Sequence, residues 1–169
     1  MKNESFQASL AVKNTYRIDC FDSEGRLKWT EEIDNLTVNV GLNDILSKYF
    51  KGASYTAAFY VGLKGAGTAV AADTMASHGA WSEATGYSET VRQTLTLGAV
   101  SGQSVDNSAS KAVFSINGTA TIAGAFVVTD NTKSGTAGTL YGVADFATPR
   151  GVASGDSVNV TVTLTSSSA

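Results

Sequence analysis

His78 is the only histidine and Cys20 the only cysteine in this chain of 169 residues. A Ser–His or Cys–His nucleophilic pair therefore has one imidazole to draw on. Ser77, His78 and Glu83 are the right types for nucleophile, base and orienting carboxylate. A nucleophile next to its base in sequence rarely reaches it with suitable geometry, however. No Gly-x-Ser-x-Gly elbow frames the trio either. His78 is instead expected to hydrogen-bond loop backbone, with Trp81 anchoring that loop in the core. One cysteine and one histidine leave no Cys/His zinc set and no intramolecular disulfide.

Paired carboxylates offer little more. Glu31, Glu32 and Asp34 follow Trp29 in a segment that reads as a solvated hairpin face. Asp106-Asn107 and Asp130-Asn131 are the acidic doublets a calcium site would need, but both fall in turn contexts that Asx side chains explain on their own. Gly62-Leu63-Lys64-Gly65-Ala66-Gly67 follows a strand without the Gly-Lys-Ser/Thr ending of a phosphate loop. Asn35-Leu36-Thr37, Asn117-Gly118-Thr119 and Asn159-Val160-Thr161 are sequons expected by chance in a Thr-rich chain. These residues assign no catalytic group, no cofactor and no metal, and the chain is read as not an enzyme.

The elements that would carry any site are mostly strands. Val158, Val160, Val162 and Leu164 alternate with Asn159, Thr161 and Thr163, the period of a half-buried strand. Tyr16, Ile18 and Cys20 alternate with Arg17, Asp19 and Phe21. A turn signal at Ser23-Glu24-Gly25-Arg26 follows, so 14–34 is predicted to be a β-hairpin. Further strands are predicted at 57–63, 90–97, 112–117, 119–128 and 139–146. The sum is about eight strands, and the expected fold is an all-β, jelly-roll-like antiparallel β-sandwich. One amphipathic helix interrupts it at 39–50. There Leu42, Ile45, Leu46, Tyr49 and Phe50 share a face, Asn39 is placed to cap and Gly52 to stop. This helix is expected to plug an open end or cover an edge strand. Residues 65–80 form a loop too long for a tight turn. Residues 1–12 are predicted to be an N-terminal arm and 13–169 a single domain.

Composition excludes several classes. A net charge of −3 argues against binding nucleic acid through phosphate neutralisation. No apolar run approaches a membrane span, and the first ten residues do not read as a signal peptide. Fifteen charged residues fall within 1–51 and twelve within 52–169, so most of the sandwich surface is expected to be neutral and rich in Ser and Thr.

The residue order from the helix onward carries a resemblance. It runs Gly41-Leu42-Asn43, Phe59-Tyr60-Val61-Gly62-Leu63, Asp73-Thr74-Met75-Ala76-Ser77-His78, Trp81-Ser82-Glu83 and Tyr87. It continues with Ala109 to Phe114, Gly124-Ala125-Phe126, Leu140-Tyr141-Gly142 and Ser154-Gly155-Asp156. Over about 39–165 this resembles small tailed-bacteriophage virion proteins of the capsid cement or decoration type. The resemblance implies a β-sandwich that binds the outside of an assembled head and bridges capsomers. Its partners would be the major capsid protein and further copies of itself, dimers before trimers. Its place would be the virion exterior after synthesis in the host cytoplasm. A tail, baseplate or fibre component and a carbohydrate-binding jelly roll are the alternatives. Phe6, Leu10 and Val12 of the arm and Trp29 of the hairpin are the interface residues this reading singles out.

Overall fold

The computed structural model describes residues 10–55 and 58–168. The fold is an all-β sandwich of two antiparallel sheets with one short helix. The first sheet holds β1 (Leu10–Phe21), β2 (Leu27–Asp34), β7 (Ser104–Asp106), β8 (Ala112–Ser115) and β11 (Ser157–Ser168). The second holds β3 (Leu36–Thr37), β4 (Tyr60–Gly67), β5 (Trp81–Ala84), β6 (Gln93–Thr94), β9 (Ala120–Val128) and β10 (Leu140–Val152). Successive groups of strands alternate between the sheets, and the first strand pairs with the last at the centre of the five-stranded sheet.

Inward alternation builds the main core. Tyr16, Ile18 and Cys20 stand opposite Val162, Val160 and Val158 in the β1–β11 register, and all six are fully buried. They meet Val61, Leu63, Ala125 and Val127 of the second sheet, with Phe114, Ile122, Phe146 and Val152 filling the space between. The second sheet is covered on its outer face as well, which is why β4 and β9 read as continuous apolar runs rather than alternations. That outer cover is the long loop after β4. Ala69, Met75 and Trp81 pack there on Phe126, Val128, Leu140 and Val143.

Three differences from the sequence expectations have physical causes. There are eleven strands among the described residues, not about eight, because β3, β5 and β7, of two to four residues, are too short to carry a period. In the predicted strand 90–97 only Gln93–Thr94 pairs as a strand. The arm also ends earlier than residue 12. Residues 10–12 are already strand, paired with 166–168, because the ladder of β11 continues to its end. Residues 1–9 lie outside the described part of the chain.

The helical segment is α1 (Asn39–Ile45), continued by a wide π-type turn at Leu46–Phe50. Asn39 is its first residue and not its cap; Val38 holds that position with extended backbone, and no side chain caps it. The predicted stop is in place: Gly52 takes a left-handed conformation with φ +70°. The helix approaches β10 through Gly41, where a Cβ would lie 2.8 Å from the Tyr141 Cα. Only glycine allows the two backbones so close.

Candidate interaction surface

The apolar stripe of the helix points away from the protein. Leu46 is 53% exposed, Tyr49 83% and Phe50 64%, and Leu42 and Tyr55 are exposed beside them. The inward face is made of Gly41, Asp44, Ile45 and Lys48, one helical turn apart. Polar partners hold it there. The Tyr141 hydroxyl donates to the Asp44 carboxylate, and Lys48 lies 3.4 Å from the same group. Burial, and then the Asp44 carboxylate, keep the Tyr141 proton in place well above the usual phenol range. The helix thus sits on the sandwich by a glycine contact and a half-buried polar triad, and Leu42, Leu46, Tyr49 and Phe50 are left exposed to solvent or a partner.

Beneath the helix the two sheets do not close. A cavity of about 600 Å³ lies there, bounded by Val12 and Asn14 of β1, Ile45 and Lys48 of the helical segment, Val127 and Leu164. The edge of the first sheet is β2, where Glu31 and Glu32 stand in a strand paired on one side only. Such charges discourage edge-to-edge pairing.

The sequence-predicted residues fall in separate places. His78 does hydrogen-bond loop backbone: its Nδ1 is 3.1 Å from the Thr74 carbonyl, and its ring stacks at 4.3 Å on Trp81. Trp81 is buried and donates through Nε1 to Asp73. Glu83 does not orient His78; both its oxygens are taken by Arg92, at 3.1 and 2.8 Å. The acidic doublets are Asx turns. Asp106 accepts from the Ser108 N–H at 2.7 Å and Asp130 from the Thr132 N–H at 2.9 Å, contacts that lower both carboxyl pKa values. Among the described residues, no group of three or more His, Cys, Asp or Glu is arranged to hold a metal, and no helix is long and apolar enough to cross a membrane.

Of the four expected interface residues, the two whose side chains are described, Val12 and Trp29, lie apart. Phe6 lies outside the described residues, as does the side chain of Leu10. Val12 is half-buried on the cavity wall. Trp29 packs edge-on against Phe146 at 5.9 Å and donates to the Gly151 carbonyl. Trp29 is paired with Cys20, eight residues along β1 from Val12, which places the two about 26 Å apart along the strand.

Buried charges are what the sequence reading missed. Lys64 is fully buried and pairs with Asp145 at 2.7 Å. Arg92 is fully buried and, besides Glu83, donates to the carbonyls of Asp130 and Gly135. Its guanidinium lies over the Phe126 ring at 5.2 Å. These pairs stitch the 129–138 turn and the long loop to the second sheet. Cys20 shows the opposite electrostatics. Burial and the nearby Asp156 carboxylate push its thiol up to about 11.

Comparison with protein-family models, curated proteins and solved structures finds no match to this chain.

Proposed function

We propose that this chain is a bacteriophage capsid cement protein, a β-sandwich that seats on the outside of an assembled head and stabilises it by bridging capsomers. The residue order described above suggests the reading. The observation that carries it is the outward stripe of Leu42, Leu46, Tyr49 and Phe50. A contiguous apolar face on a low-charge surface marks a contact with another macromolecule. The partners are the major capsid protein and further copies of this chain. Many copies on one lattice would let modest single contacts add up. A role on the virion exterior after cytoplasmic synthesis is compatible with a single, buried cysteine.

The test is binding to heads of the parent phage assembled without this chain. Wild-type protein is expected to co-sediment saturably and to give density over the whole shell. Leu46→Glu combined with Phe50→Glu is expected to abolish binding while leaving the circular dichroism spectrum unchanged. Density confined to one vertex would replace this reading with a tail or baseplate role, and no binding at all would remove both. Self-association is expected as dimers, with trimers next; a strictly monomeric mass by light scattering at high concentration, with monomeric density on the shell, would reject it. The exposed Tyr49, Phe50 and Tyr55 would also serve a carbohydrate-binding module, since aromatic rings stack on sugars. Saturable micromolar binding on a glycan array would favour that alternative.

A further inference from the structure

The cavity under the helix is in the size range of small-molecule sites, which run from about 300 to 1,000 Å³. Its wall is mostly apolar, with Ile45, Phe59, Leu95, Val127 and Leu164 contributing. One feature of that wall does not belong in a core. Asn14 stands in the inward row of β1, where its neighbours Val12, Tyr16 and Ile18 are hydrophobic. It is 3% exposed, and its Oδ1 has no hydrogen-bond partner among the described residues. A buried amide left unpaired costs stability that an apolar residue of the same size would not. The charged groups at the same end are already matched to one another: Lys48 to Asp44, and Asp44 to the Tyr141 hydroxyl. Lys48 is the one charged residue on the cavity wall among the described residues, and it is paired.

We infer that this cavity binds an uncharged apolar molecule carrying a hydroxyl group, with the hydroxyl at Asn14 and the apolar body between the sheets. A hydroxyl both donates and accepts. The orphaned Asn14 Oδ1 is an acceptor, so the hydroxyl satisfies it by donating. The inference does not depend on the capsid reading: Leu42, Leu46 and Phe50 of the stripe do not line the cavity, and Tyr49 alone belongs to both.

The probe is 1-decanol, titrated into the isotopically labelled full chain and followed by amide chemical shifts. Decyl methyl ether, which cannot donate, and decanoate, which is charged at neutral pH, are the controls. 1-Decanol is expected to move the signals of Asn14, Leu95, Val127 and Leu164 saturably. The ether is expected to bind about tenfold more weakly, the size of one hydrogen bond, and decanoate more weakly still. Asn14→Leu should erase the preference for the alcohol over the ether. Leu164→Trp should block both by filling the space, and Leu95→Trp serves if that variant does not fold. Equal binding of alcohol and ether would overturn the proposal. So would a preference that survives Asn14→Leu, shifts confined to Leu46 and Phe50, or no saturable shift up to the solubility limit of decanol.

Discussion

The two ends of the sandwich are built from the same strands and finished in opposite ways. Toward Cys20, the inward rows of β1 and β11 pack with the second sheet in one buried cluster, and aromatic rings pair there: Phe114 against Tyr87 at 4.9 Å, Trp29 against Phe146. Toward Val12, the same rows separate around a cavity, an asparagine replaces a hydrophobe, and a helix roofs the opening with its polar face inward. The filled end is organised chiefly by burial, with the Lys28–Asp156 pair and the Thr30–Asp19 hydrogen bond at its margin. The roofed end is organised by hydrogen bonds, a glycine contact and space. Stability is expected to be concentrated at the first, and the proposed binding surfaces lie at the second, the arrangement of folds whose binding sites draw on their less stable part.

The largest effect should come from breaking the filled end. Phe114→Ala removes a fully buried ring and is expected to destabilise the protein by about 3–5 kcal/mol in urea denaturation. A loss below about 1 kcal/mol would mean the two ends are not different in kind. Gly41→Val tests how the roof is held. Its side chain would drive into the backbone of Tyr141, and a cost of about 1–3 kcal/mol is expected, with amide exchange faster through 39–50 than in β1. Asn14→Leu should go the other way and stabilise by about 1 kcal/mol, because it replaces an unpartnered amide with a hydrophobe. A lowered melting temperature would show that Asn14 has a partner after all.

The pH response sharpens the contrast more gently. The Cys20 thiol ionises near 9 when unfolded and holds its proton to about 11 in the fold. Above pH 9 the unfolded chain releases a proton that the folded one keeps, so stability falls as pH climbs from about 9 to about 11. The buried Tyr16 phenol, also raised, adds a loss of the same sign only above about pH 10. Cys20→Ala should therefore flatten the stability curve between pH 9 and 10, and an unchanged slope there would contradict the assignment. The smallest change in stability belongs to the outward stripe. Leu46→Glu with Phe50→Glu is expected to alter unfolding free energy by less than about 0.5 kcal/mol, since these side chains rest on solvent.

What was legible in the sequence follows the same division. The filled end could be read directly, because Tyr16-Ile18-Cys20 and Val158-Val160-Val162 alternate long enough to define a face. The hairpin closed where the Ser23 to Arg26 turn placed it. The helix was legible in position but not in orientation. A period of 3.6 tells which residues share a face; it does not tell which face turns inward. Gly41, Asp44 and Lys48 decided that, through a tyrosine almost a hundred residues away. β3, β5 and β7 left no trace because two to four residues cannot show a repeat. The Arg92–Glu83 pair lacks any local signal, since its geometry depends on how the turn at 129–138 returns to the sheet. Asn14 did carry a cue: it is the polar residue in an otherwise hydrophobic inward row. That cue was missed because the row was read only from Tyr16 onward.

The pairing of the first strand with the last also sets a timetable for biosynthesis. Phe21 at the end of β1 pairs with Ser157, 136 positions later in the chain. At about 5–20 residues per second of elongation, β1 waits about 7–27 seconds for its central partner. Throughout that interval the row Tyr16, Ile18, Cys20 has only β2 beside it, and a two-stranded hairpin is marginal by itself in water. A nascent chain of this protein therefore emerges with a central ladder of its main core half made. Its yield in a cell should respond to chaperones that shelter early-emerging strands.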